Sequence, residues 1–291
     1  MKIVSLLPAA TEIVCALGLG DRLVGRSHEC DFPEAVAALP ALTRARVDSS
    51  LPSAELDAQV RTILEQRLPL YELDEKHLAA LSPDVVVTQE ACEVCAVSYD
   101  QVVGTLRRTR CEAQVVSLKP AFLGDVLRDL RSVAEACAID EEGARVVRAL
   151  EARLEAVRRR VPAGARPRVA VVEWLAPPML AGHWTPEIVE AAGGIPVGPE
   201  PGAPSPYATW EELRALQPDV VVVAPCGMDL ERTRREAQPH AGLLRSLAPR
   251  VWLLDGNAYV NRPGPRLVDA VETLQAWLLG ENVPAHVGCA L

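Results

Sequence analysis

The sequence predicts an α/β fold with two similar lobes, and two observations carry this prediction. The segment Ala80–Val87 (Ala-Leu-Ser-Pro-Asp-Val-Val-Val) recurs as Ala215–Val222 (Ala-Leu-Gln-Pro-Asp-Val-Val-Val). Each copy is typical of a helix end, a Pro-Asp turn and a buried strand. The length of 291 residues also exceeds that of a usual single α/β core and favours two domains. Because ligands of open α/β sheets bind beyond the carboxyl ends of the strands, we expect a cleft between the lobes.

The first half of the chain alternates strand and helix patterns. Apolar runs that end at Pro or at polar residues predict strands, and apolar residues at helical spacing predict helices. The predicted elements are a strand at 3–7, a helix at 9–18, a strand at 24–25, helices at 53–68 and 74–81, and strands at 85–87 and 115–117. Polar loops follow the strands, and function concentrates in such loops.

A long amphipathic helix is predicted from about Glu141 to Arg160, with Asp140 as its N-cap. Its apolar stripe consists of Val147, Leu150, Leu154 and Val157. Residues 160–167 contain two prolines and a glycine, which end the pattern and indicate a domain boundary.

The second half restarts the alternation. It has a predicted strand at 168–174, a helix that begins near Pro186, the strand of the second repeat copy, a strand at 252–254 and a helix at 267–279. Pro at the first turn and Gly193-Gly194 beyond the last delimit the middle helix.

Composition excludes several classes of partner. Apolar residues make up 49% and charged residues 24% of the chain, as in ordinary globular proteins. The net charge of −9, with scattered Lys and Arg, disfavours nucleic acid and anionic membranes. No stretch approaches the roughly 20 apolar residues of a membrane span, so we expect no membrane insertion. Small molecules or proteins remain as partners.

The N-terminus predicts a cytoplasmic location. The apolar run that follows Met1-Lys2 is too short for the core of a signal peptide, and no small-residue cleavage site follows it. We therefore interpret this run as the first strand.

A series of motifs resembles the cobalamin and iron-siderophore substrate-binding proteins of ABC importers, and most closely their cobalamin-binding members. The motifs, in order, are Ser5-Leu-Leu-Pro8-Ala-Ala-Thr-Glu-Ile13, the Ala-Leu-Gly18 helix end, the repeated Leu-x-Pro-Asp-Val-Val-Val, Leu175-Ala-Pro-Pro178, Glu187-Ile-Val-Glu-Ala-Ala-Gly-Gly194 and Pro263-Gly-Pro-Arg266. The similarity covers almost the whole chain, and the order of the motifs carries it.

The resemblance implies two Rossmann-like lobes with parallel sheets, joined by a single long helix, with the ligand cleft between the lobes. It implies an N-terminal α/β lobe at 1–120, a helical segment at 121–162 that includes the connecting helix, and a C-terminal α/β lobe at 163–291. A single rigid helix between lobes implies little hinge motion.

The resemblance also implies an aromatic-lined, non-catalytic binding site for cobalamin or a related metal-containing small molecule. By position, the residues expected to contact the ligand are Pro8, Phe32, Tyr99, Trp174, His183, Trp184, Tyr259 and Arg262. His28, Cys30 or His183 is expected as an axial ligand to the metal of the bound molecule. The family implies an ABC permease as partner, but the missing export signal argues against that partner here.

Two loops predict a second kind of chemistry. Cys92 and Cys95 form a Cys-x-x-Cys pair after one strand, and His28 and Cys30 follow another. Because parallel strands bring both loops to one edge of a sheet, the four residues can form a site for zinc or another transition metal. A redox dithiol at Cys92 and Cys95, or purely structural thiols, are the alternatives.

Standard catalytic signatures are not found in the sequence. It has no Gly-rich phosphate loop, no Ser-His-Asp order and no paired acidic motif, so we do not expect an enzyme. Three hypotheses remain: a corrinoid-binding protein, a metal-binding protein that uses the cysteine loops, and a thiol-dependent enzyme in the same cleft.

Overall fold

Both copies of the repeated segment form central strands, each in its own sheet, in the computed structural model. The structure describes residues 1–90 and 97–291. It divides into two units: an N-terminal unit of residues 1–51, 58–120 and 124–149, and a C-terminal unit of residues 52–57, 121–123 and 150–291. The two main sheets are separate from each other. A single continuous sheet would have contradicted a two-lobed fold.

The elements up to residue 136 are listed here in chain order. They are β1 (Ile3–Ser5), α1 (Pro8–Ala16), β2 (Leu23–Arg26), β3 (Thr43–Ala45), α2 (Ser53–Glu65), β4 (Tyr71–Leu73), α3 (Glu75–Leu81), β5 (Val85–Gln89), α4 (Tyr99–Thr109), β6 (Gln114–Leu118) and α5 (Leu123–Ala136). The main sheet has the order β2-β1-β5-β6, and its paired strands are all parallel. β3 and β4 form a separate antiparallel ribbon.

Burial explains the central strand of the N-terminal unit. Val85, Val86 and Val87 are at most 2% exposed, so both faces of this part of β5 are covered, which explains its continuous apolar run. Pro8 occupies the start of α1, where a missing backbone N–H removes no helical hydrogen bond. The helix therefore begins directly after β1.

Helix α6 (Asp140–Arg159) is the predicted long helix, and its 20 residues give a length of about 30 Å. The predicted stripe is buried, with Val147, Leu150, Leu154 and Val157 at most 7% exposed. Residues up to Ala149 belong to the N-terminal unit and residues from Leu150 to the C-terminal unit. That this helix is a rigid connection, and that the boundaries lie at 120 and 162, remain predictions.

The elements of the C-terminal half follow the same alternation. They are β7 (Arg168–Leu175), β8 (Pro178–Leu180), α7 (Thr185–Ala191), β9 (Ile195–Pro196), α8 (Trp210–Ala215), β10 (Val220–Val223), α9 (Leu230–Ala237), α10 (Ala241–Leu247), β11 (Arg250–Leu254), α11 (Gly256–Tyr259), α12 (Leu267–Leu278) and β12 (Gly288–Ala290). The sheet order is β12-β11-β10-β7-β8, and β9 also pairs with β7. β7, β10 and β11 are parallel, whereas β8 and β12 are antiparallel edge strands that the sequence patterns did not predict.

Within the C-terminal unit, α12 is fixed to the second half of α6 by polar contacts. Arg153 forms ion pairs with Asp269 at 2.5 Å and with Glu272 at 2.6 Å. The side-chain amide of Gln275 donates to the carbonyl oxygen of Val157 at 2.7 Å, and Gln275 is 1% exposed. Buried hydrogen bonds of this kind fix the register between two helices.

Among residues 1–90 and 97–291, none of the helices combines the length and the apolar composition of a membrane span.

Candidate functional site

In the N-terminal unit, the carboxyl end of β2 carries a hydrogen-bonded cluster centred on Thr43. The Thr43 hydroxyl donates to the Ser27 hydroxyl at 2.9 Å, and the backbone N–H of His28 donates to Thr43 at 3.0 Å. Nδ1 of His28 lies 2.7 Å from Oγ1 of Thr43. The contact with Thr43 occupies Nδ1, so Nε2 is the ring nitrogen that remains for another partner.

The β3–β4 ribbon positions His28. Thr43 belongs to β3, and Tyr71 of β4 places its ring 5.6 Å from the His28 imidazole, centroid to centroid. The Tyr71 hydroxyl also donates to Glu29 at 3.0 Å. Burial, and to a lesser degree the charge of Arg26, lowers the pKa of His28. A neutral imidazole with one fixed nitrogen is the form that binds a metal.

Cys30 lies in a different setting from His28, although only two positions separate them. It is 2% exposed, and its sulfur lies 3.0 Å from the Thr11 hydroxyl oxygen. That oxygen lies 2.8 Å from Ser5 Oγ, and Ser5 donates to the carbonyl oxygen of Leu7 at 3.0 Å. The Thr11 hydroxyl therefore lies within hydrogen-bonding distance of both the Cys30 sulfur and the Ser5 hydroxyl. This arrangement packs the thiol into the interior of the unit.

The predicted four-residue metal site remains a prediction. Cys92 and Cys95 lie in residues 91–96, outside the described residues. Across the described ranges, no group of three His, Cys, Asp or Glu side chains is arranged to hold a metal ion. The redox alternative depends on the same two cysteines and also stays a prediction.

Three further predicted contact residues lie in the N-terminal unit. Pro8 is buried at the start of α1, and Tyr99 is partly exposed at the start of α4, where Ser98 is the N-cap. Phe32, in the loop after β2, is 45% exposed. Of these, only Phe32 presents a largely exposed aromatic surface.

In the C-terminal unit, the loops after the three parallel strands are tied together. The backbone N–H of Cys226, after β10, donates to the carbonyl oxygen of Glu173 in β7 at 2.9 Å. The side chain of Asn261, after β11, donates to the carbonyl oxygen of Ala224 at 3.0 Å. These bonds connect the loops with one another along the carboxyl edge of the sheet, where ligands of such sheets bind.

Trp184 and His183 form an aromatic pair beside that edge. Their ring centroids are 5.6 Å apart with an interplanar angle of 29°. The indole N–H of Trp184 donates to the carbonyl oxygen of Val260 at 2.8 Å, which brings the pair to the segment that contains Tyr259 and Arg262. Burial lowers the pKa of His183, so its imidazole is neutral at physiological pH.

The segment after β11 carries one acidic and two basic side chains, Asp255, Arg262 and Arg266. Arg262 is 6% exposed, and its charge and that of Arg266 oppose the rise that burial causes in the pKa of Asp255. The Arg266 guanidinium lies 6.0 Å from the centre of the Tyr259 ring. Burial is also the main cause of the raised pKa of Tyr259. The structure thus gathers Trp184, Tyr259 and Arg262, three predicted contact residues, in one part of the unit.

One group at this edge, the carboxyl of Glu173, was not identified from the sequence. Glu173, near the end of strand β7, accepts a hydrogen bond from Ser205, and burial raises its pKa to about 7. Next to it, Trp174 was predicted as a contact residue, and its indole nitrogen is buried without a hydrogen-bond partner among the described residues. Perturbed carboxyls in clefts are candidates for functional groups.

A family model described as "Periplasmic binding protein" matches residues 3–240. The Vitamin B12-binding protein of Vibrio cholerae serotype O1 is 24% identical over 280 residues, which cover 95% of this chain and 88% of that protein.

Two solved structures are similar along nearly the whole chain. The periplasmic vitamin B12 binding protein BtuF of Vibrio cholerae has a TM-score of 0.69 at 21% identity, with 96% of both chains covered. The periplasmic heme-binding protein RhuT from Roseiflexus sp. RS-1, in apo form, has a TM-score of 0.71 at 24% identity, with 96% of this chain and 98% of that chain covered. At these identities the likeness shows a shared two-lobed α/β fold.

The cytoplasmic location predicted from the sequence is wrong. The matching family is described as periplasmic, and so are both solved structures. These findings point to the periplasm. The argument against an ABC permease rested on the same reading of the N-terminus and falls with it.

Proposed function

Because the chain belongs to the periplasmic binding protein family, we propose that it binds cobalamin at the carboxyl edges of its two sheets. Binding is the role that the family description names, as the sequence predicts. The interlobe cleft expected from the sequence is part of this proposal. An ABC permease is the proposed partner.

The observation that carries the proposal is the aromatic edge of the C-terminal unit. His183 and Trp184 stack on each other, and Trp184 is held to the segment of Tyr259. A corrinoid is a large flat ring edged with amides, and aromatic faces supply much of the burial energy for such a ligand. The vitamin B12-binding relative, 24% identical over 95% of this chain, supports cobalamin as the ligand.

His28 is the proposed axial ligand to cobalt. Its Nδ1 is fixed by Thr43, and its Nε2 has no hydrogen-bond partner among the described residues. Of the other two candidates, Cys30 is 2% exposed and its thiol is hydrogen-bonded, which disfavours it. The His183 ring stacks on the Trp184 ring, which disfavours His183 as the axial ligand. We therefore prefer His28.

Heme is the second candidate ligand, because RhuT, which is heme-binding, shares the fold at a TM-score of 0.71. Zinc has no comparable support. Parallel titrations with aquocobalamin and hemin, followed by visible absorption, distinguish the two ligands. We expect a saturable change with aquocobalamin at a stoichiometry of one, and weaker binding of hemin. Saturation by hemin alone would reverse the assignment.

A further inference from the structure

The end of β7 contains an irregularity that changes where two side chains point. Val172 and Leu175 both belong to the core cluster of the C-terminal unit. Regular alternation would not place both in one core, and the pairing with β8 does shift register between Val172 and Trp174. Glu173 and Trp174 therefore both lie on the side of the strand away from that core.

Glu173 has one hydrogen-bonding partner and unused accepting capacity. Ser205 accepts a hydrogen bond from the backbone N–H of Gly182 at 3.0 Å, which leaves its hydroxyl proton for Glu173. Among the described residues, no Lys, Arg or His forms an ion pair with this carboxyl. A carboxylate offers about four lone-pair positions, so acceptor sites remain open.

Trp174 supplies the complementary group. Its indole nitrogen is a donor only, and it is buried with no partner among the described residues. Buried polar groups in folded proteins are nearly always hydrogen-bonded, so this donor is open to a partner that the described residues do not supply. The same side of one strand thus presents an open acceptor and an open donor.

We propose that Glu173, Ser205 and Trp174 form a subsite for a carboxamide group of the bound ligand. The NH₂ of the carboxamide donates to Glu173, and its carbonyl oxygen accepts from the indole N–H of Trp174. This inference rests on the proposed function and deepens it, because it assigns residues that select an amide-edged ring. The propionates of heme are acceptors only, and their negative charge opposes that of Glu173.

The electrostatic setting supports this assignment. Burial raises the pKa of Glu173 to about 7. Ionisation of this carboxyl in the folded protein therefore lowers stability, which a neutral residue at this position would not do. Such a cost is typical of groups that are retained for binding.

The test compares cyanocobalamin with a set of monocarboxylic acids that covers each of its primary side-chain amides in turn, with one amide per acid converted to a carboxylate. Calorimetry at pH 8 gives the affinity of each for the wild-type protein. We expect at least one of the acids to bind about ten-fold more weakly than cyanocobalamin, because a carboxylate cannot donate to Glu173 and is repelled by it.

Glu173→Gln is the decisive variant, because its amide can donate to the carboxylate of that acid. We expect the variant to remove most of the ten-fold gap in affinity between cyanocobalamin and the acid that the wild type binds more weakly. Glu190→Gln, an exposed position on α7, is the matched control and should leave the gap unchanged. Thermal unfolding of each variant verifies that it is folded.

Equal binding of every acid in the set and of cyanocobalamin to the wild type would overturn the subsite, and this arm needs no variant. So would a gap that Glu173→Gln leaves unchanged. Absence of cyanocobalamin binding to the wild type would instead overturn the proposed function, and the subsite with it.

Discussion

Nδ1 of His28 and Oγ1 of Thr43 lie 2.7 Å apart, and this contact fixes which imidazole nitrogen faces outward. Thr43 is 6% exposed and belongs to the β3–β4 ribbon, so the ring is oriented by a structural element outside the main sheet. If Nε2 binds cobalt, the β3–β4 ribbon determines the direction in which the His28 ring points toward the metal.

Loss of the His28 imidazole should weaken binding of aquocobalamin but not of cyanocobalamin. The water on cobalt in aquocobalamin is displaced by an imidazole, whereas cyanide is held tightly. We expect His28→Ala to abolish the shift of the visible band seen with aquocobalamin. An equal loss of affinity for both cobalamins would show that His28 only contacts the ring surface.

The Thr43 hydroxyl should act through His28. Thr43→Val removes the hydrogen-bond partner of Nδ1 and leaves the backbone N–H of His28 unpaired. This change should lower the free energy of unfolding by about 1–3 kcal/mol. We expect a weaker affinity for aquocobalamin, with Thr43→Ser as the control that retains the hydroxyl. A normal band shift in a folded Thr43→Val protein would contradict this role.

Trp184 should contribute binding energy through its aromatic face. Trp184→Ala removes that face, and we expect cobalamin affinity to fall by at least about 1 kcal/mol in calorimetry. Trp184→Phe retains a ring but not the hydrogen bond to Val260, so its loss should be smaller. If both variants lose the same affinity, the indole N–H and not the face is the important feature.

Two buried carboxyls should make the protein less stable as pH rises. Burial is the main cause that raises the pKa of Glu173 and of Asp129 to about 7 each. Their folded-state pKa values lie above the unfolded ones, so the folded protein holds more protons between about pH 4 and pH 7. Stability therefore declines over this window and stays low above it.

Neutral variants measure each contribution. Glu173→Gln should raise the free energy of unfolding at pH 8 by about 1–3 kcal/mol and leave it nearly unchanged at pH 4. Asp129→Asn on α5 should do the same independently, since it lies in the other unit. Chemical denaturation at the two pH values gives both numbers. A variant with the wild-type pH profile would show that its carboxyl ionises normally.

Thiol reactivity should separate the described cysteines. Cys226 is exposed, Cys30 and Cys137 are buried, and burial raises the pKa of Cys137. We expect iodoacetamide at pH 7.5 to label Cys226 well before Cys30 and Cys137, as mapped by mass spectrometry. Rapid labelling of Cys30 would contradict its placement beside Thr11. The same map, with and without zinc, tests the predicted site at Cys92 and Cys95.

The repeated strands and the long helix were predictable because their signals are local. Val85–Val87 and Val220–Val222 are continuous apolar runs after a Pro-Asp turn, a pattern specific to buried parallel strands. The stripe of α6, from Val147 to Val157, repeats at helical spacing over about three turns. In contrast, β8, β12 and the β3–β4 ribbon are strands of three residues whose pairing depends on distant segments.

Part of the candidate site was predictable from the family resemblance. By position it implied Trp184 and Tyr259 as contact residues, and the structure brings their segments together. Glu173 was missed because a single Glu at the end of an apolar strand resembles a solvated strand end. Its burial depends on Ser205, which is distant in sequence. The interior position of Cys30 likewise depends on Thr11, which no local pattern connects to it.

Calorimetric titration of the purified protein with cyanocobalamin tests the central claim most directly. The account predicts saturable binding of one cobalamin per chain with a dissociation constant of about 1 µM or lower. No heat and no change in the visible spectrum at about 50 µM cobalamin would contradict it.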